Sequence, residues 1–162
     1  MLGPPVVLLV EDREDDVLLI QRALTKGYIN ITLRIARNGD QALAYLSGDG
    51  EFADREKYPL PRLVLLDLKM PGRDGFDVLH WIRHQEEFKT MRVIVLTSSD
   101  QIRDVNRAYQ LGANSFLVKP NEFENFILLA RLLKDYWFDL DTPPQPPRPA
   151  TPAPISAKEL PN

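Results

Sequence analysis

The residues in this chain that could do chemistry sit just past the ends of short apolar runs. VVLLV (Val6–Val10) leads into Glu11-Asp12, LVLL into Asp67, VIVL into Thr97, and SFLV into Lys119-Pro120. Buried parallel strands read as short apolar runs, and an open α/β sheet binds its ligands beyond the carboxyl ends of its strands. If the four runs are neighbouring parallel strands, acids, a hydroxyl and a lysine converge on one spot. Such a set is equipped to move a phosphoryl group onto a carboxylate with the help of a divalent metal.

Each member has a role that its chemistry suggests. Asp67 lies in LLDLKMPGRDG, where a strand gives way to a turn supplied by Pro71, Gly72 and Gly75. A carboxylate attacks phosphorus to give an aspartyl phosphate, but it is a weak nucleophile and two anions repel. Glu11 and Asp12, facing a third acid, repel one another unless a cation lies between them. Oxygen ligands of this kind favour Mg²⁺ or Mn²⁺, and Mg²⁺ is commonly held by one or two carboxylates, waters and a phosphate oxygen. Lys119 can pair with the transferred group or with Asp67, and Thr97 can donate to a phosphoryl oxygen. Catalysis of phosphoryl transfer is mostly positioning and charge neutralisation, so these roles suffice. Singly, each is weak: an acidic pair in a loop is ordinarily solvated, and Thr97-Ser98-Ser99-Asp100 is rich in residues that cap helices. Their coincidence at four strand ends carries the weight.

The elements that must position these residues alternate along the chain. Strands are expected at Val6–Val10, Ile31–Ala36, Leu63–Leu66, Val93–Leu96 and Phe116–Val118. Helices are expected at Asp15–Lys26, Gly39–Leu46, Phe76–Arg83, Gln101–Leu111 and Glu122–Tyr136, from apolar positions near helical spacing. Alternation of this kind implies an α/β fold, a parallel sheet with helices on both faces. Asp49–Pro61 is a long connection for such a fold. From Thr142 the chain is proline-rich, with eight of the fourteen prolines, and reads as a disordered tail over 142–162 after a folded domain over 1–141.

Composition bounds the alternatives. The 162 residues are 44% hydrophobic and 27% charged, with net charge −3, which gives no sign of a nucleic-acid or membrane-surface binder. No cysteine is present, which excludes disulfides and thiolate metal sites and fits a reducing cytoplasm. No apolar stretch approaches the ~18 residues that span a bilayer. The acids after the first apolar run argue against a signal peptide.

In their order and spacing, VLLVEDREDD, LLDLKMPGRDGFDVL, VIVLTSSD and LGANSFLVKP make the chain resemble the receiver domain of bacterial two-component response regulators. The resemblance spans about Val6 to Trp137. The long loop before the third strand, AYQLGANSFLVKP and the ending LLKDYWFDL are similar to the single-domain, phytochrome-associated regulators. The resemblance implies a flavodoxin-like (βα)5 doubly wound sheet of order 2-1-3-4-5. It implies that Asp67 is the phosphoacceptor, served by a sensor histidine kinase of phytochrome type. Glu11 and Asp12 would hold the metal, directly or through water, with the backbone carbonyl of Lys69. Thr97 and Phe116 would form the switch pair, Lys119-Pro120 would carry a cis peptide bond, and Lys69 and Ser99 would lie at positions that tune hydrolysis of the phosphoryl group.

Two other readings of the residues fare less well. An aspartyl-phosphate phosphatase places a second acid two residues after its nucleophile, where this chain has Lys69. A flavin carrier needs a phosphate-binding loop where this chain has Glu11-Asp12-Arg13-Glu14-Asp15-Asp16. The expectation is therefore a signalling switch rather than an enzyme acting on outside substrates. His80 and His84 share a helix face and are expected to be plain surface. Tyr136, Trp137 and Phe138 point around the last helix, which divides them between core and surface. Self-association as a dimer through the fourth and fifth helices is the corresponding expectation.

Overall fold

The computed structural model describes residues 3–140 and 142. Five strands, β1 (Val6–Val10), β2 (Thr32–Ala36), β3 (Leu63–Leu66), β4 (Arg92–Thr97) and β5 (Ser115–Val118), form one sheet of order β2-β1-β3-β4-β5. Every pairing is parallel, as expected of the strand–helix alternation. Helices α1 (Glu14–Lys26), α2 (Gly39–Ser47), α3 (Gly75–His84) and α4 (Ile102–Gln110) make the crossovers, and α5 (Phe123–Lys134) follows the last strand. The last helix does not run on to Tyr136 as an α-helix; it widens into a π-helical segment, Asp135–Leu140. The expected tail lies outside the described residues except for Thr142.

The continuous apolar runs follow from coverage of both sheet faces. Val7 and Leu9 join Val17, Ile20 and Phe126 in the layer under α1 and α5. Leu8 and Val10 turn the other way, toward Ala42, Leu46, Val78 and Ile82 of α2 and α3. The edge strand β2 is only partly covered, which is where the sheet admits Thr32 and Arg34.

The long 49–61 connection is packed rather than loose. The Phe52 and Tyr58 rings sit 5.2 and 6.0 Å from Tyr45. Arg55 donates to the carbonyls of Tyr45 and Leu46 at 2.7 and 2.8 Å, reinforcing the Gly48 N–H at Tyr45 O and supplying a donor to Leu46 O at the end of α2. Gly48 closes that helix at φ +77°, a left-handed conformation that suits glycine.

Candidate functional site

Parallel register brings the strand ends together. Val10 pairs with Leu66, Leu66 with Val95, and Thr97 with Val118. The ladder then continues one residue further on three strands. Glu11 N–H donates to Ala36 O at 3.0 Å, Asp67 N–H to Val10 O at 3.0 Å, and Lys119 N–H to Thr97 O at 2.7 Å. The backbones of Glu11, Asp67 and Lys119 are thereby pinned at the point where the chain leaves the sheet. Thr97, fully buried, is the last residue of β4 and does not cap α4, whose N-cap is Gln101.

Turn chemistry completes the loop after Asp67. Gly75 N–H donates to Leu68 O at 3.0 Å. A Cβ on Gly75 would run into the Asp67 carbonyl and lie 2.7 Å from Leu68 Cα. Glycine here is what lets the start of α3 press against the Asp67–Leu68 backbone. Asp74 then starts α3 with a capping box, accepting from Asp77 N–H at 3.0 Å while its own N–H donates to the Asp77 carboxylate.

Glu11, Asp67 and Thr97 are 1%, 4% and 0% exposed. The Lys119 ammonium lies 2.6 Å from Glu11 Oε2, 2.8 Å from Asp16 Oδ2 and 3.7 Å from Asp67 Oδ2. The lysine therefore serves an acid cluster and not Asp67 alone. Burial pulls its pKa down, but the hydrogen bonds to Asp16 and Glu11 outweigh that and the net shift is upward. Burial pushes Glu11 up to about 7, with the charge on Asp67 adding to it against the pull of Lys119. The other Glu11 oxygen accepts from Arg13 N–H at 3.1 Å.

This arrangement is short of positive charge. Glu11, Asp12 and Asp67 each offer a carboxylate oxygen, all within 4.8 Å of one another. Asp12 Oδ1 is buried and has no hydrogen-bond partner, an expensive state for a carboxylate oxygen unless it has another ligand. The donor set is all oxygen and fits a hard divalent cation. His80 and His84, by contrast, are exposed, with rings 4.0 Å apart and no acid ligand grouped with them among the described residues.

Phe116 is half-buried against Leu68, Phe76, Val95 and Ala108, on the strand next to that of Thr97. The cis bond expected at Lys119-Pro120 is absent: no described peptide bond is cis. Trans is the lower-energy isomer even before proline, and here the Lys119 backbone is held by Thr97 O while its ammonium reaches both acids. Of the closing aromatics, Tyr136 is 54% exposed, while Trp137 and Phe138 lie against the core with Arg92 and Arg62 over their rings.

Two participants escaped the sequence reading. Asp16 was one acid in a string of them, and its helical position under Lys119 is what singles it out. Asp104 stands in a helix of mixed polar residues, yet it is 6% exposed. It accepts from Ser99 Oγ at 2.6 Å and lies 3.3 Å from Lys69 Nζ.

A doubly wound five-stranded parallel sheet with an acid cluster, a hydroxyl and a lysine at its carboxyl edge defines the class: the chain belongs to the response regulator receiver domain family, whose model matches residues 7–131. It is 36% identical over 141 residues to the response regulator Rcp1 of Synechocystis, covering 87% of this chain and 94% of Rcp1. The structure of Mn²⁺-bound Rcp1 superposes with a TM-score of 0.76 over 88% of this chain and 100% of that one. The phosphorylated cyanobacterial phytochrome response regulator RcpA is 31% identical, with a TM-score of 0.80, over 88% of this chain and 100% of its own. RPA3017, a response regulator in red light signaling of R. palustris, is 35% identical, with a TM-score of 0.82 over 87% of this chain and 99% of its own. No helix among the described residues is long and apolar enough to cross a membrane.

Proposed function

We propose that Asp67 accepts a phosphoryl group from the phosphohistidine of a sensor histidine kinase, and that the modified domain signals through a changed protein-binding surface. The observation that carries this reading is the buried Asp67 carboxylate, grouped with Glu11 and Asp12 within 4.8 Å and 3.7 Å from the Lys119 ammonium. An Asp67 oxygen forms a bond to phosphorus, the phosphorus–nitrogen bond to the imidazole breaks, and that nitrogen keeps the electron pair. Lys119 meets the charge that arrives, and the Thr97 hydroxyl donates to a phosphoryl oxygen. Glu11, Asp12 and Asp67, with the Lys69 carbonyl, would hold Mg²⁺ or Mn²⁺, which neutralises phosphoryl oxygens when bound. The domain in this reading promotes its own phosphorylation and dephosphorylation and acts on no outside substrate.

The names of RcpA, a cyanobacterial phytochrome response regulator, and RPA3017, a regulator in red light signaling, support a phytochrome-type kinase as the donor, and a chain without cysteine suits the cytoplasm as the setting. Exposed Leu128, Leu132 and Tyr136 on α5 and its extension support self-association through this side of the molecule. Phosphotransfer from a panel of histidine kinases in Mg²⁺ tests the main reading. Label is expected on the wild type and not on Asp67→Asn; label on the variant at the wild-type rate would place the acceptor elsewhere. Gel filtration with and without a phosphoryl mimic tests self-association, and a monomer in both states at micromolar concentration excludes it.

A further inference from the structure

Helix α4 is thinly anchored, since its buried residues are Asp104 and Ala108. A carboxylate buried on a largely solvated helix must find partners, and those of Asp104 come from the two loops that frame the acceptor. Ser99, the second residue after Thr97, donates to it at 2.6 Å, and the ammonium of Lys69, the second residue after Asp67, lies 3.3 Å away. Lys69 thus leaves the backbone beside the acceptor, yet its charge is committed to α4. Its ammonium also lies over the Phe76 ring, 5.7 Å from the centroid. Arg107, one turn beyond Asp104, lies 4.1 Å from the same centroid. Two lysines therefore flank Asp67, one held by Glu11 and Asp16, the other by Asp104.

We propose that Asp104 is a positioning residue: it holds the Lys69 ammonium off the acceptor, leaves the phosphoryl group on Asp67 open to water, and so shortens its lifetime. This rests on Asp67 being the phosphoacceptor. In the step concerned, a water oxygen bonds to phosphorus and the bond from phosphorus to the Asp67 oxygen breaks. The carboxylate keeps the electron pair, and a proton of the water passes to the released phosphate. With Lys119 and a divalent cation already facing the phosphoryl oxygens, Lys69 has no need to leave Asp104. With Asp104 neutral, the nearest strong attraction for Lys69 is the phosphoryl group, and its ammonium then lies across the approach of water.

The test loads the full chain with acetyl phosphate in Mg²⁺, removes the donor and follows loss of phosphate from wild type, Asp104→Asn, Lys69→Ala and the double variant. Asp104→Asn keeps the shape and an acceptor for Ser99. It is expected to slow the decay about threefold, the scale of one exposed ion pair. In the Lys69→Ala background the same substitution is expected to change the decay by less than about 1.5-fold, because its effect runs through the lysine. Asp104→Ser serves if the asparagine variant does not fold. Decay unchanged or faster in Asp104→Asn, or equal slowing without Lys69, overturns the role of Asp104. Absence of label on wild-type Asp67 would instead overturn the acceptor assignment on which the role rests.

Discussion

Asp67→Asn is expected to stabilise the metal-free protein while abolishing its function. In the wild type Asp67 faces Glu11 and Asp12 oxygens at no more than 4.8 Å; at an effective dielectric near 20 each full repulsion is worth at least about 3.5 kcal/mol. Against these stands one ammonium at 3.7 Å, an attraction of about 4.5 kcal/mol on the same scale. Repulsion exceeds attraction by about 2.5 kcal/mol, and spreading each charge over two oxygens reduces the gain on neutralising Asp67 to about 1–2 kcal/mol. Burial, aided by Asp67, places Glu11 at about 7 when folded, against 4.5 as its ordinary value. Between those values the folded state keeps a proton that the unfolded state has lost, so this group lowers stability as pH rises through the window. The asparagine removes one cause of the shift and flattens that slope. Because Glu11 protonation relieves the repulsion at low pH, the gain should be larger at about pH 8 than at about pH 6. Urea denaturation in chelator at both pH values measures it. In saturating Mg²⁺ the order should invert, since a ligand at a hundred times its Kd adds about 2.7 kcal/mol to the protein that binds it. An Asp67→Asn variant no more stable than wild type in chelator at the higher pH would refute the reasoning.

Three further outcomes are expected. Lys119→Met leaves Glu11 and Asp16 without their shared ammonium and should cost about 3–5 kcal/mol in chelator, read by urea denaturation, with part of the loss recovered in Mg²⁺. Gly75→Ala must displace the Asp67–Leu68 backbone; it should lower stability by about 1–3 kcal/mol and slow phosphoryl acceptance several-fold, checked by melting and by labelling kinetics. Arg55→Ala removes the guanidinium donors to the carbonyls of Tyr45 and Leu46, of which Tyr45 O keeps the Gly48 N–H, and should cost about 1–3 kcal/mol in thermal denaturation, leaving the phosphorylation rate unchanged.

The sequence by itself determined the sheet and which polar residues stand at its strand ends. Strand runs such as VVLLV and LVLL are apolar on both sides because both faces of a parallel sheet are covered, so their ends could be read directly, and with them Glu11, Asp67, Thr97 and Lys119. Glycine and proline after Asp67 marked the turn for the same local reason. Tertiary structure alone decided how those ends share their charges. Whether Lys119 meets Asp67 or its neighbours depends on register and on where α1 sets Asp16, and it meets Glu11 and Asp16 more closely. The Lys119-Pro120 bond is trans where the resemblance had implied cis. Asp104 carries no mark in a helix of polar residues; its burial arises from how α4 lies over the Ser99 and Lys69 loops. A strand end is a local property of the chain, whereas the partner of a side chain is a distance between elements far apart in sequence, and only packing sets that distance.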